Sequence, residues 1–309
     1  MMPLAHARRS CVTTKIMQQR TFAFQGSGPT AAQAEVRLWC REPPEAQAGK
    51  TLTWQLDSGD ASGGQQPPDG APPPAAAAAA AQPAAAGSNV APQEDPDLIG
   101  LDVWPASIAL CRYLANHPEV VAGQQVVELG AGMGLVGLLC AALGAQHVLL
   151  TDYEPQVLAH LDKNAALNGL QKRCASLRLD WRQPAASLAQ QQQGNWHRIV
   201  AADVLYASAV VQPLIATLRL LLHPEGVTLI GHQVRRAIVL DPATRLPRLE
   251  DSDEPLEKFK AACAEAALQL RVLSSRETCS NRDSDPMVLL AVGGPQSRLA
   301  DLPLLPSES

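Results

Sequence analysis

The chain has 309 residues, 46% hydrophobic and 4% aromatic, enough for one large α/β domain with extensions but with no uninterrupted apolar stretch of membrane-spanning length. Its 25 basic and 30 acidic residues give a formal charge of −5, without the basic excess that phosphate binding requires, so neither nucleic acid nor a membrane is an expected partner. The seven cysteines are scattered, odd in number and free of any C-x-x-C pair, which predicts a reducing, cytoplasmic setting without disulfides or structural zinc.

Residues 1–20 read as a flexible N-terminus. Arg8, Arg9, Lys15 and Arg20 precede the first acid, Glu35, a pattern that leaves organelle targeting as the alternative location. Residues 21–56 hold two alternating stretches, Thr21-Phe22-Ala23-Phe24 and Glu35-Val36-Arg37-Leu38-Trp39, and predict an N-terminal strand pair. Residues 57–97 are mostly Gly, Pro, Gln and Ala, a composition too poor in large apolar groups to offset its ordering entropy; a disordered insert is expected.

From 98 to 293 the pattern is that of one α/β domain. Val126–Leu129, His147–Asp152, Arg198–Asp203 and Val227–Gly231 are apolar runs suited to buried parallel strands, with Ser176–Leu179 a weaker candidate. Val157, Leu158, Leu161 and Ala165 share a helical face, as do Val210, Val211, Leu214, Ile215 and Leu218. Alternation of this kind predicts a mostly parallel, Rossmann-like sheet with helices on both faces. Leu268–Leu273 and Met287–Val292 follow one another across a polar link without helical pattern, so they should form an antiparallel pair at the C-terminal end. Residues 294–309 read as a flexible tail.

The chemistry concentrates where the first of these strands ends, at Glu128-Leu129-Gly130-Ala131-Gly132-Met133-Gly134-Leu135-Val136-Gly137. Glycines at a strand-to-helix turn allow close backbone approach to a ligand, and the helix N-terminus offers free N–H groups. Gly132-x-Gly134-x-x-Gly137 with Asp152 also satisfies the dinucleotide fingerprint, so a nicotinamide-dependent oxidoreductase competes at this point. Three features favour another nucleoside cofactor. The E-x-G-x-G-x-G string resembles motif I of S-adenosylmethionine methyltransferases. Ala202-Asp203-Val204-Leu205-Tyr206 closes the third strand, and a Pro224-Glu225-Gly226 turn links a helix to the next strand, as is typical of those enzymes.

Residues 101–290 thus resemble the seven-β-strand, non-SET protein-lysine methyltransferases of the methyltransferase-like group. The resemblance rests on Val103-Trp104-Pro105-Ala106, the 128–134 string, Thr151-Asp152, Leu179-Asp180-Trp181 and the Ala202–Tyr206 stretch, in that order; the insert at 57–97 departs from it. It implies an S-adenosyl-L-methionine cofactor, a protein substrate and a lysine acceptor. It also implies that Gly130, Ala131 and Gly132 line the cofactor, that Trp104 lies against it, and that Trp181 flanks its adenine. Asp152 would accept the ribose hydroxyls, the backbone of Ala202 would lie beside the cofactor, and Glu128 would serve as a lesser contact to its amino group.

Each residue has a plainer reading. Both tryptophans could be core aromatics, Asp152 a cap for the helix near Pro155, and Asp203 a helix cap with Tyr206 as packing. For lysine methylation, Asp203 is expected to orient the amine and Tyr206 to wall its channel. The D-x-x-Y form, in place of N-P-P-Y, argues against adenine or glutamine as acceptor. Arg235 and Arg236 are expected to be solvated, no histidines cluster as metal ligands, and a monomer is anticipated. A non-catalytic cofactor-binding module remains the third alternative.

Overall fold

The computed structural model describes residues 17–26, 32–41, 52–53, 99–188, 194–241, 244–250, 252–276 and 286–304. All of them belong to one compact unit comprising Met1–Leu56 and Ile99–Ser309, so the N-terminal strand pair is part of the same body as the domain that follows. The insert expected at 57–97 and the first sixteen positions lie outside the described residues.

The apolar runs become strands β4 (Gln125–Leu129), β5 (His147–Asp152), β6 (Cys174–Arg178), β7 (Trp196–Ala202) and β8 (Leu222–Gln233). They are joined by helices that cover both faces, as a buried parallel sheet requires. These helices are α1 (Pro105–Asn116), α2 (Leu135–Ala142), α3 (Pro155–Leu167), the short α4 (Pro184–Ser187) and α5 (Val211–Leu221). Pro105 and Pro155 open their helices at positions where a missing N–H costs nothing. Val157, Leu161 and Ala165 are buried on α3, and Val211, Leu214, Ile215 and Leu218 on α5, as their spacing predicts, whereas Leu158 is only partly buried and Val210 is the partly buried N-cap of α5. Strand order is β11-β12-β8-β7-β4-β5-β6, with parallel pairing from β8 through β6. The last strands, β11 (Gln269–Arg276) and β12 (Met287–Gly293), are antiparallel to each other, and β12 inserts antiparallel beside β8.

Several features differ from the sequence reading. Strand β8 starts earlier than expected, because the Pro224–Gly226 stretch is a register shift within it and not a separating turn. There β7 advances from Trp196 to Arg198 while β8 advances from Leu222 to Val227. A hairpin of β9 (Ile238–Leu240) and β10 (Pro247–Leu249), then α6 (Glu254–Glu265), intervene between β8 and β11. The segment after Gly293 was expected to be loose, yet through residue 304 it is docked. Leu299 and Leu302 are buried, Tyr113 Oη donates to the Pro303 carbonyl at 2.9 Å, and Arg271 donates to the Leu299 and Leu302 carbonyls.

The N-terminal strands β1 (Met17–Gln25) and β2 (Gln33–Arg41) form an antiparallel hairpin longer than the alternating stretches suggest, and the short β3 (Leu52–Thr53) runs parallel to β1. Phe22, Phe24, Val36 and Leu38 join the core shared with α1 and α2. Asn164 of α3 and Asn168, the C-cap that follows it, act as adaptors along the edge of β2. Asn168 exchanges hydrogen bonds with the backbone of Arg37, while Asn164 accepts from Trp39 N at 2.7 Å and donates to the Met133 carbonyl at 3.0 Å. The hairpin therefore braces the glycine-rich turn after β4.

Candidate active site

Strand order reverses at β4, which has β5 on one side and β7 on the other. Open α/β sheets bind ligands in the crevice outside the carboxyl ends of strands at such a point. Gly130–Gly132, Asp152 and Asp203 all emerge there, at the ends of three neighbouring strands.

The turn after β4 is conformationally exacting. Gly130 has φ +63°, and a Cβ there would lie 3.2 Å from Val204 Cγ1 and 3.4 Å from the Trp181 ring. Gly132 has φ +53°, and a Cβ there would meet the Gly100 carbonyl oxygen at 3.0 Å. Ala131 N donates to the Thr151 carbonyl at 2.8 Å, tying the turn to β5. Asp152, largely buried, accepts from Gly132 N through Oδ2 and from Glu154 N through Oδ1, both at 3.1 Å. Burial pushes its carboxyl up, and these backbone donors partly oppose that. Helix α3 has Glu154 as its N-cap and no side-chain cap bond, so Asp152 fixes the glycine turn as much as the helix start. With two donors on about four lone-pair sites, it keeps acceptor capacity.

Glu128 is committed elsewhere. Its side chain is buried beneath α2, where Oε2 accepts from Gly137 N at 2.9 Å. Burial pushes this carboxyl up to about 8. It is a brace between β4 and α2.

Both tryptophans stand at the crevice. Trp104 is 37% exposed at the N-cap of α1, so it is not a core residue. Trp181, half-buried after the Leu179-Asp180 strand end, lies against the backbone of Gly130. Ala202 ends β7 opposite Gly231 of β8.

Asp203 is the least expected of the predicted residues in its surroundings. It has φ +59° in a non-glycine residue, its N–H continues the ladder to the Gly231 carbonyl at 2.8 Å, and its side chain is 4% exposed. It does not cap α5, whose N-cap is Val210. Its carboxylate is instead forked by Arg235: Nη1 lies 2.7 Å from Oδ1, and Nη2 bonds Oδ2. Arg235, read from the sequence as a solvated side chain, is only one-third exposed and places its guanidinium 5.8 Å from the Trp104 ring centroid. Beneath them, the fully buried His232 sets Nε2 3.0 Å from Asp253 Oδ2 and Nδ1 3.9 Å from Asp203 Oδ1. Asp253 also accepts from Arg235 N at 2.6 Å and caps α6 through Leu256 N. Tyr206 is half-exposed and within electrostatic reach of Tyr153, Asp152 and Arg182, on the β5 side of the crevice. Among the described residues no hydrogen bond joins Tyr206 to Asp203.

His232 and Asp253 escaped the sequence reading, and Arg235 carried no role in it. The signal available was Asp253-Glu254-Pro255, a helix-start pattern before Leu256, Phe259 and Cys263 at helical spacing.

The sequence profile of the lysine methyltransferase family matches residues 90–241. Protein-lysine methyltransferase METTL21E of Mus musculus is 30% identical over 181 residues, covering 57% of this chain and 68% of that protein. The chain belongs to the lysine methyltransferase family. Two further relatives are the protein N-lysine methyltransferase METTL21A of Danio rerio and EEF1A lysine methyltransferase 3 of Xenopus tropicalis. The first is 36% identical over 43% of this chain and 60% of its own, the second 31% over 45% and 59%. The chain thus spans less than two thirds of the length of these two.

For a lysine methyltransferase the glycine string reads as a site for S-adenosyl-L-methionine, and the nicotinamide alternative falls away. The residues present fit that cofactor. Gly130 and Gly132 bring backbone without a Cβ to the turn, Asp152 retains acceptor capacity for vicinal hydroxyls, and Trp181 offers an indole beside the loop for a purine. No helix among the described residues is long and apolar enough to cross a membrane.

Proposed function

We propose that this chain transfers a methyl group from S-adenosyl-L-methionine to the ε-amine of a lysine in a protein substrate. The observation that carries the reading is the convergence, at the ends of β4, β5 and β7, of a glycine turn, a buried carboxylate and a second carboxylate forked by an arginine that lies over Trp104. When bound, the cofactor supplies a methyl group on a sulfonium, open to in-line attack.

The chain's own residues then have distinct tasks. Gly130, Ala131 and Gly132 allow the backbone to approach the cofactor, Asp152 accepts its ribose hydroxyls, and Trp181 flanks its adenine. Trp104 and the Ala202 backbone complete the wall on the β7 side. Asp203 accepts a hydrogen bond from the incoming amine, and Tyr206 lines its path. Positioning supplies most of the acceleration in such a displacement, because the reaction needs only alignment and a neutral nucleophile. An unperturbed lysine, with a pKa of about 10.4, arrives protonated, so the site must favour loss of that proton.

The reading includes action as a monomer in the cytoplasm. EEF1A, named in one relative, is the first substrate to try. The test is incubation of the enzyme and tritiated S-adenosylmethionine with EEF1A and with cell lysate, followed by mass spectrometry of the labelled proteins. Methyl-lysine is the expected product. Label confined to arginine or histidine, or no label beside tight S-adenosylhomocysteine binding, would overturn the assignment.

A further inference from the structure

A lone buried carboxylate beside the acceptor nitrogen poses a problem for amine methylation. It would hold the substrate as an ammonium, which has no lone pair with which to attack. The Asp203 side chain is 4% exposed, yet it does not face the crevice as a lone anion. Both of its oxygens engage the guanidinium of Arg235.

We propose that Arg235 is a positioning residue for methyl transfer, cancelling the charge of Asp203 so that the carboxylate can accept an N–H of the substrate lysine without retaining it as an ammonium. A guanidinium fork takes about two of a carboxylate's four lone-pair sites and leaves the others as acceptors. The geometry that holds Arg235 for this task is independent of its ion pair. Its backbone N–H donates to Asp253 Oδ2 at 2.6 Å, the same oxygen that His232 Nε2 approaches at 3.0 Å, and its guanidinium lies over Trp104. Asp253 is itself fixed as the N-cap of α6, so β8, α6 and α1 all fix the position of one side chain.

Among the described residues, the other charged and titratable groups around the crevice do not duplicate this role. His232, on β8, faces Asp203 at 3.9 Å, but burial pushes its pKa down and favours the neutral ring. Asp253, on α6, is engaged with His232, Arg235 and Leu256. Asp152, Tyr153 and Tyr206 stand on the β5 side with Arg182, which is forked onto Asp180. Among the described residues, Arg235 is the cation placed directly on Asp203.

In the transfer itself, the substrate ammonium releases its proton to solvent and the neutral amine attacks. The N–CH3 bond forms, the S–CH3 bond breaks with its electron pair remaining on sulfur, and the positive charge passes to the methylated nitrogen. A cation beside the amine favours the first step.

This inference rests on lysine being the acceptor, and it makes a signed prediction. With lysate protein raised until the rate saturates, initial tritium transfer from S-adenosylmethionine to lysine is measured from pH 6.5 to 10 for wild type, Arg235→Gln, Arg235→Lys and Asp203→Asn. Removing the cation should move the rise in rate to higher pH by about one pH unit, the effect of one charge a few ångström away at a partly exposed site. Arg235→Gln should then be about threefold to tenfold slower at pH 7 and no slower at pH 10, because a more basic amine is also a better nucleophile once neutral. Arg235→Lys should keep the wild-type profile, and Asp203→Asn should move it to lower pH. S-adenosylhomocysteine affinity, measured in parallel, should stay within a few-fold of wild type in the Arg235 variants. An Arg235→Gln enzyme that is slower by one factor at every pH, or faster at pH 7, would make Arg235 a brace or a plug and refute the proposal. If Arg235→Gln does not fold, an unmoved or upward-moved profile for Asp203→Asn refutes it equally. A wild-type enzyme that labels no lysine removes the reading beneath the inference; lysine labelling with unmoved profiles removes the inference alone.

Discussion

Replacing Glu128 with glutamine should stabilise the protein near pH 8 and have little effect near pH 5. The carboxyl is 2% exposed, with the Gly137 N–H bonded to one of its oxygens. Burial raises its pKa from the usual 4.5 to about 8; the Gly137 bond opposes the rise and the charge of Asp152 adds to it. Because the folded value lies above the unfolded one, the unfolded chain gives up this proton first as pH climbs past 4.5. Stability from this group is therefore present at low pH and drains away through the interval up to about 8. The loss approaches about 1.4 kcal/mol per pH unit across the interval, or on the order of 2–4 kcal/mol by pH 7–8. Glutamine keeps a carbonyl oxygen for Gly137 and never ionises, so it avoids that loss. For a domain of this size the difference corresponds to a melting temperature roughly 5–15 °C higher at pH 8. Thermal melts of both proteins at half-unit steps from pH 5 to 8 measure it. Parallel curves would show that Glu128 titrates normally and that its burial carries no electrostatic cost.

Asp152→Ala should weaken S-adenosylhomocysteine binding by on the order of 1.5–3 kcal/mol, about 10- to 150-fold, by calorimetric titration. It should also lower the melting temperature of the free protein, since Gly132 N and Glu154 N both lose their acceptor. Wild-type affinity would remove Asp152 from the ribose position. Asn164→Ala should cost roughly 2–4 kcal/mol in denaturant unfolding, because it strips a buried partner from both Trp39 N and the Met133 carbonyl. A loss below about 0.5 kcal/mol, the scale of a neutral surface substitution, would mean the hairpin does not brace the glycine turn.

Local pattern made much of the fold legible. The apolar runs of β4, β5 and β7 close on Gly130, Asp152 and Asp203, and a short apolar run that meets a glycine or an acid so abruptly reads as a strand end. Asp152 and Asp203 were legible for the same reason: a strand end fixes where a side chain emerges. What joins Asp203 to Arg235 was not legible, because the pair is 32 residues apart and meets only through the parallel register of β7 with β8. His232 looked like any lone histidine in an apolar strand. Its meaning comes from Asp253, delivered by a helix whose start signal follows a hairpin of weak pattern. The docking of the tail was not legible because its anchors are two isolated leucines, Leu299 and Leu302, and backbone carbonyls that accept from Tyr113 and Arg271, and neither makes a pattern in a sequence.

Three acids stand near the ends of three adjacent strands, and the structure offsets their charge in three ways. Glu128 is buried enough to favour its protonated form, and that form commits one oxygen as a donor. Asp152 receives two backbone N–H groups, which offset its burial without adding a full positive charge to the crevice. Asp203 receives a guanidinium, which offsets the charge and leaves both oxygens as acceptors. An incoming amine presents N–H donors, so a protonated carboxyl at that position would oppose one donor with another. A carboxylate held only by backbone N–H groups would remain anionic and keep the amine protonated. Of the three arrangements, only the arginine pair both accepts from an amine and lets it become neutral, and it is found on the β7 side, where the proposed acceptor enters.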